Sequence, residues 1–212
     1  PTSGANAESS WERTTLTDVG MDLTLLGNRL LFTADYYVKN TNGILLQLPT
    51  SVVYGFSTPY QNAGAVRNSG WEFAAAYTDK IGSFSYNIGA NASLNRNRIT
   101  DLAGTSSMST GYVEGEPIKA FYGYQAEGIF QTQQQVSNHA TQSGGTIAPG
   151  DLMYKDVSGP DKKPDGVIDG NDRVYLGSPF PGMTYGITLG GGWKGFAVSA
   201  FFQGAFDVKN YL

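Results

Sequence analysis

The side chains best suited to chemistry are the carboxylates of one segment, residues 156–172, where aspartates recur among glycines. A twelve-residue calcium loop takes oxygen ligands from positions 1, 3, 5, 9 and 12 and needs a glycine at position 6. The segment fits this pattern if a five-residue insertion around 161–164 is looped out. The candidate ligands are then Asp156, Ser158, Asp165, Asp169 and Asp172. Calcium (Ca2+) would order the loop without catalysis, and the competing interpretation is a solvated acidic turn held by Asx hydrogen bonds.

No arrangement typical of an enzyme active site accompanies this loop. The chain has no cysteine, and its one histidine, His139, lies in a Gln- and Ser-rich run that is typical of a solvated loop. The spacing of Glu114, Glu116 and Glu127 does not indicate a glycosidase pair, and the chain has no Gly-rich phosphate loop or serine elbow. We therefore expect no catalysis and no required cofactor.

An aromatic run is the second candidate site. Phe121, Tyr122 and Tyr124 follow one another closely and could contact a substrate or partner by stacking on sugar rings or on a peptide. The competing interpretation is that the same rings pack within a strand or loop.

Composition narrows the fold that must position these residues. The 212-residue chain has 28 glycines, 13% aromatic and 15% charged residues, and this balance favours an all-β protein over helical folds. A net charge of −4 without a basic stripe argues against nucleic-acid binding. No apolar run is long enough for a membrane helix, but membrane strands carry only a weak alternating signal.

Three segments, about 14–39, 70–95 and 184–203, alternate with a period of two on both sides of a short Gly-containing link, which predicts antiparallel hairpins. Alternation divides each strand into an apolar face and a polar face. The apolar face includes Val19, Met21, Phe32, Tyr36, Trp71, Phe73, Ile88, Leu94, Ile187, Leu189 and Val198. The polar face includes Asp18, Asp22, Asp35, Lys39, Glu72, Asn87 and Asn91.

Strand length and connector length indicate where the apolar face lies. The strands approach the 9–11 residues that a membrane strand needs, whereas strands of soluble domains average about 5–6. The short links all fall at one end of the hairpins, and the long connections, 40–68 and about 100–183, fall at the other, as in outer-membrane barrels. The longer connection is expected to contain strands, with 120–130 the best candidate. The alternative is a soluble β-sandwich, a carbohydrate-binding or adhesion module.

Motifs along nearly the whole chain resemble the C-terminal barrel region of SusC/RagA-type TonB-linked outer-membrane transporters of Bacteroidetes. The matching runs are 11–12, 18–22, 28–30, 35–37, 62–64, 68–72, 121–124, 128–130, 149–151, 165–169, 177–181, 194–196 and 201–204. In the family the acidic loop is tighter, of the form D-x-N-G-D-G-x-I-D, and the motif preceding Phe121 is PIG where this chain has Pro117, Ile118 and Lys119.

The resemblance implies an antiparallel transmembrane β-barrel of 22 strands in the outer membrane of a Gram-negative bacterium, plugged by an N-terminal domain and capped by a SusD-like lipoprotein. Such a protein imports glycans or peptides with energy delivered through TonB. The plug and the TonB box are outside this chain, so residues 1–212 are interpreted as a partial barrel domain whose apolar face contacts outer-membrane lipid. A small self-contained barrel is a weaker alternative, because residues 208–212 do not supply a closing strand.

Overall fold

The computed structural model describes residues 9–47, 60–106, 111–159 and 163–210. These ranges contain twelve strands, a helix α1 (Gln133–Asn138) and a 3-10 turn (Gly170–Asp172). The strands are β1 (Arg13–Leu25), β2 (Leu30–Gln47), β3 (Tyr60–Ile81), β4 (Phe84–Asp101), β5 (Phe121–Gly123), β6 (Ala126–Ile129), β7 (Thr141–Gln142), β8 (Leu152–Tyr154), β9 (Val167–Ile168), β10 (Val174–Gly177), β11 (Met183–Trp193) and β12 (Phe196–Phe206). No helix in the described ranges has the length and apolar composition needed to cross a membrane.

The six long strands form one antiparallel sheet in the order β1-β2-β3-β4-β11-β12. Three hairpins supply these strands, and β4 pairs with β11 across the intervening residues 102–182. The sheet is open, with β1 and β12 at its edges in the described part of the chain. The prediction of an all-β, antiparallel architecture is confirmed.

Tight turns close the hairpins at one end of the sheet. Gly82 (φ +60°) begins the β3–β4 turn, where a positive φ at the first turn position suits a type II′ geometry. Lys194 (φ +46°) and Gly195 (φ +88°) both have positive φ, as a type I′ turn requires. These geometries match the twist of the flanking strands, so each hairpin keeps its register to the turn.

The strands extend well past the predicted hairpins at the opposite end. The predicted connection 40–68 is strand at both of its ends, because β2 continues to Gln47 and pairs with the start of β3 from Tyr60; residues 48–59 lie outside the described residues. Asn42 and Gly43, whose types suggest a turn, instead form a β-bulge in which Gly43 has a φ of +72°. A glycine with positive φ inserts one extra residue without ending the ladder.

The register keeps the two faces separate across all six strands. One row of the apolar face joins Tyr36, Trp71 and Leu94, and one row of the polar face joins Asp35, Glu72 and Ser93. The apolar face lies uncovered, as shown by the exposed fractions of 69% for Val19 and 74% for Val198.

Residues 102–182, here called the loop layer, connect β4 to β11 and contain α1, the 3-10 turn and six short strands. The short strands pair as β5–β10, β6–β8 and β7–β9, the last being parallel. Two of them, β5 and β6, fall within segment 120–130. The buried apolar side chains of the described residues lie in this layer and at the adjoining end of β4: Ile99, Leu102, Ala120, Phe130 and Ile168.

The loop layer packs against the polar face, at the end remote from the tight turns. The Ile118 N–H donates to Asn97 Oδ1 (2.8 Å), and Asn97 belongs to the polar face. An apolar cavity of about 330 Å³ separates Ile118 and Tyr112 of the loop layer from Ile44 and Val66 of the sheet. The polar face therefore becomes apolar where the layer covers it.

Candidate functional site

Carboxylates dominate the charge of the polar face below the loop layer. Asp22 Oδ1 accepts a hydrogen bond from Thr33 Oγ1 (2.7 Å), and Glu72 Oε1 accepts one from Ser93 Oγ (3.5 Å). Both contacts cross between neighbouring strands. Asp35 reaches across Gly20, since a Cβ at that glycine would meet the Asp35 carboxylate. These short bridges hold the carboxylates in fixed positions on the face.

Glycines on β11 allow two amide side chains to lie across the sheet. Asn87 is opposite Gly190 and Asn91 is opposite Gly186, and a Cβ added at either glycine would contact the asparagine opposite. The combination gives the polar face amide donors and acceptors next to carboxylates, with little steric bulk. Such a surface can be hydrated and can form hydrogen bonds with hydroxyl and amide groups of a solute.

A further polar contact lies where the sheet meets the loop layer. The Tyr37 ring covers Gly70, and its phenol donates to Asn95 Oδ1 (3.0 Å). The Asn97 amide, which anchors Ile118 of the loop layer through its oxygen, donates through Nδ2 to Asn68 Oδ1 (2.7 Å). Sequence analysis did not find this contact set, because the partners are far apart in the chain.

The aromatic run is divided between strand β5 and the residue after it. Tyr122 packs edge-on against Tyr175 of β10 (ring centroids 6.1 Å apart), and Tyr124 packs against Tyr154 of β8 (5.5 Å). The Arg173 guanidinium lies 5.7 Å from the centroid of the Tyr124 ring. Phe121 belongs to β5 and is half-buried. Packing within the loop layer therefore uses both tyrosine rings, and contact with a substrate or partner stays a prediction.

The Tyr122 phenol is strongly perturbed. Burial raises the pKa of Tyr122 to about 12, with further contributions from the charges of Glu116 and Tyr175. The phenol is consequently a neutral hydrogen-bond donor at any physiological pH.

The acidic segment is organised around the fully buried Asp172. Its Oδ1 accepts the backbone N–H groups of Val157 (2.9 Å) and Ser158 (3.0 Å), and its Oδ2 accepts that of Asp169 (2.8 Å). Burial acts to raise the pKa of Asp172, but the backbone donors outweigh it and the pKa is lowered. The carboxylate is therefore charged and serves as an internal acceptor that closes the loop.

The other acidic side chains of the segment also bond to backbone. Asp169 Oδ1 caps the 3-10 turn through the Asn171 N–H (2.7 Å), Asp165 Oδ1 accepts the Val167 N–H (3.0 Å), and Asp156 Oδ2 accepts the Gly166 N–H (2.7 Å). The Asp165 and Asp169 contacts reach the backbone two residues on and are of the Asx type expected for an acidic turn, whereas the Asp156 contact spans ten residues and closes the loop.

Calcium binding by this loop stays a prediction. Across the described ranges, no three His, Cys, Asp or Glu side chains converge where they could hold a metal ion. Asp156 Oδ1 is buried without a hydrogen-bond partner, so one carboxylate oxygen is available as a ligand. Both oxygens of Asp172 are committed to the backbone, so binding in the twelve-residue pattern would require this carboxylate to exchange partners.

Sequence analysis also did not identify four arginines as a group. Arg13, Arg67, Arg96 and Arg98 lie within the extended strands β1, β3 and β4, on the apolar face and beyond its last aromatic row. If the alternation is continued past Trp71 on β3 and Leu94 on β4, it places Arg67, Arg96 and Arg98 on the apolar face.

Comparison with known proteins identifies the sheet. Residues 2–205 match the family model described as TonB dependent receptor-like, beta-barrel. The chain is 30% identical to TonB-dependent receptor P3 of Formosa agariphila, over 98% of this chain and 22% of that protein. It is 27% identical to TonB-dependent receptor SusC of Bacteroides thetaiotaomicron, over 98% of this chain and 20% of that protein. The chain thus spans about a fifth of the length of these relatives.

Solved structures give the same result. The RagAB peptide importer in its open-open state superposes with a TM-score of 0.77 at 25% identity, covering 98% of this chain and 22% of that one. Its closed-closed state gives a TM-score of 0.71 at 25% identity, over 97% and 22%.

These likenesses confirm the resemblance to SusC/RagA-type proteins and the interpretation of the sheet as an incomplete segment of a transmembrane barrel. The alternative of a soluble β-sandwich is wrong, because the family that matches nearly the whole chain is a β-barrel family. The chain belongs to the TonB dependent receptor-like β-barrel family.

Proposed function

We propose that residues 1–212 form part of the wall of a TonB-dependent importer in the outer membrane of a Gram-negative bacterium. In this proposal the apolar face contacts lipid, the polar face lines the lumen and the loop layer faces the cell exterior. The observation that carries it is the separation of the two faces over strands of membrane-spanning length in a chain of this family.

The geometry of the sheet fits a membrane of ordinary thickness. Strands rise about 3.3 Å per residue, and at a tilt near 40° each residue adds about 2.5 Å of height. Ten residues separate Phe84 from Leu94 on β4, and ten separate Trp193 from Met183 on β11. Both intervals correspond to about 25 Å, the usual height of the apolar band of an outer-membrane barrel.

Substrate and partners follow from the relatives. SusC and the RagAB importer motivate the inference that this protein takes up oligosaccharides or peptides together with a SusD-like surface lipoprotein, and that TonB drives it through a plug outside this chain. Amides and carboxylates on the polar face suit solutes rich in hydroxyl or amide groups. The loop layer, with Tyr122 and Tyr124, is the part of this chain nearest a lipoprotein lid.

The test is uptake by cells that carry or lack the full-length protein. Labelled oligosaccharides and labelled peptides are supplied separately, with and without TonB. We expect uptake of one class to require both the protein and TonB, and the protein to leave the membrane fraction only with detergent. Unchanged uptake of both classes in the deletion strain, or extraction without detergent, would refute the proposal.

A further inference from the structure

Four exposed arginines, Arg13, Arg67, Arg96 and Arg98, extend the apolar face at the end that bears the loop layer; we call them the arginine rim. The register places Arg67 directly opposite Arg98 and Arg96 opposite Ser69. Arg13 lies on β1 opposite Asn42.

The height of the rim relative to the apolar band is set by strand geometry. Trp71 and Leu94 form the last apolar row, and Trp71 packs against Tyr36 with ring centroids 4.7 Å apart. Arg96 and Arg98 follow Leu94 by two and four residues, which places them about 5 and 10 Å above it. Aromatic rings of this kind mark the boundary between hydrocarbon and headgroups. The rim therefore lies at the level of lipid headgroups.

Ion pairing differs between the rim and the opposite end of the apolar face. Within the described residues, no guanidinium group of the rim makes an ion pair or a hydrogen bond. The opposite end of the apolar face differs, because there Asp79 pairs with Arg29 (2.9 Å) and also accepts the Tyr77 phenol (2.8 Å). Within the described residues, Arg29 near the tight turns is therefore in an ion pair, whereas the rim arginines are not.

Nearby carboxylates in the described residues do not form ion pairs with the rim. Asp101 Oδ1 accepts the Ala103 N–H (2.8 Å). Glu116 and Asp207 line a polar cavity of about 230 Å³ that Arg96 also lines, but neither carboxylate lies within 4 Å of a guanidinium nitrogen.

Two like charges directly opposite on neighbouring strands destabilise a sheet, so the Arg67 and Arg98 pair costs stability unless an anion lies between them. Guanidinium groups bind phosphate oxygens with paired hydrogen bonds, and they are less strongly hydrated than ammonium groups. An anion at this height, next to a lipid-facing surface, is part of a lipid headgroup.

We propose that the arginine rim binds the headgroup phosphates of an anionic membrane lipid, of the phosphorylated glycolipid type found in the outer leaflet of Gram-negative outer membranes. The inference rests on the proposed function, because only a barrel wall in a membrane presents the rim to lipid. Bound lipid would link the neighbouring strands β3 and β4 at the level where the sheet leaves the hydrocarbon, with Arg13 two strands away on β1.

The experiment uses the full-length protein in nanodiscs of zwitterionic phospholipid doped with diphosphorylated lipid A. Native mass spectrometry measures how much lipid A stays bound, with dephosphorylated lipid A and inorganic phosphate as further probes. The rim variant carries Arg67→Gln, Arg96→Gln and Arg98→Gln. The control variant, Lys39→Gln, Lys80→Gln and Lys155→Gln, removes three positive charges from exposed positions on the polar face and the loop layer.

We expect the rim variant to bind diphosphorylated lipid A about 100-fold more weakly, since each of the three basic residues near a membrane surface contributes about fivefold. The control variant should bind like the wild type, and dephosphorylated lipid A should bind weakly to all three. Equal retention by the rim variant, or displacement of the lipid by inorganic phosphate, would overturn the proposal. If the lipid proposal alone were wrong, the wild-type protein would still support substrate uptake and would still need detergent for extraction. Absence of these two properties in the wild type would refute the proposed function instead.

Discussion

The sharpest consequence of the two-faced sheet concerns a charge placed at the centre of the apolar face. Ile88 lies on β4, paired with Tyr77 and Leu189, four residues from Phe84 and six from Leu94. It is therefore about 10 Å above one border of the apolar band and about 15 Å below the other. The substitution Ile88→Arg puts a guanidinium group near the middle of the hydrocarbon.

The expected cost follows from this depth. An arginine facing lipid at the bilayer midplane destabilises an outer-membrane barrel by about 2–4 kcal/mol, and this falls to about 0–1 kcal/mol near the interfaces. Because Ile88 is within a few ångströms of the midplane, we expect the free energy of unfolding to drop by about 2–4 kcal/mol. The matched control is Asn91→Arg on the polar face of the same strand, for which we expect a change below about 1 kcal/mol.

The assay is reversible urea unfolding of the full-length protein in phospholipid vesicles, followed by tryptophan fluorescence, with the free energy obtained by linear extrapolation. A cost for Ile88→Arg no larger than that for Asn91→Arg would refute the assignment of the faces. A larger cost for Asn91→Arg would reverse it.

Three other predictions concern single contacts. Replacing Asp172 by Ala leaves the Val157 and Ser158 N–H groups without their acceptor, so hydrogen exchange at these two amides should accelerate while the amides of the main sheet stay protected. Unchanged exchange at Val157 and Ser158 would contradict the role of this carboxylate in closing the loop. Tyr122 has a folded pKa of about 12, above its unfolded value, so its contribution to the stability of the loop layer is present below about pH 10 and is lost as pH rises through 12. A difference titration of the phenol absorbance of the wild type against Tyr122→Phe should show a phenol that titrates near pH 12. Replacing Gly70 by Val places a Cβ against the backbone carbonyl oxygen of Leu94 as well as against the Tyr37 ring, so the β3–β4 pairing and the Tyr37 to Asn95 hydrogen bond must both shift; this should cost at least about 1–3 kcal/mol in urea unfolding, and a neutral effect would contradict the close packing at Gly70.

Alternation made the barrel wall predictable from the sequence. The apolar phase between Trp71 and Tyr77, and its return from Phe84 to Leu94, is imposed by lipid on one side and water on the other, so each residue carries information about its face. Alternation of apolar and polar residues does not predict the strands beyond their lipid-facing part. Beyond Trp71 and Leu94 the ladder continues through Asn68 and Asn97, because backbone hydrogen bonds need no apolar side chains. Strand ends, and with them the arginine rim, were therefore missed.

The structure of the loop layer was harder to predict from the sequence for a different reason. Aspartates at calcium-loop spacing look the same in sequence whether they bind an ion or accept backbone N–H groups. The structure commits both oxygens of Asp172 to backbone donors fourteen or more residues away at Ser158 and Val157, and to Asp169. Contacts of this kind depend on how the layer folds over β4, and local spacing does not encode them.

The central claim is that one face of this sheet meets lipid and the other meets water. Single nitroxide labels placed in turn at residues 86–92 of the full-length protein in vesicles test this assignment of the faces directly. The measured quantity is the accessibility of each label to oxygen, which is enriched in lipid, and to a nickel complex, which stays in water. We predict a strict period of two, with high oxygen accessibility at Tyr86, Ile88, Ala90 and Ala92 and high nickel accessibility at Asn87, Gly89 and Asn91. Equal nickel accessibility at both sets of positions would contradict the account.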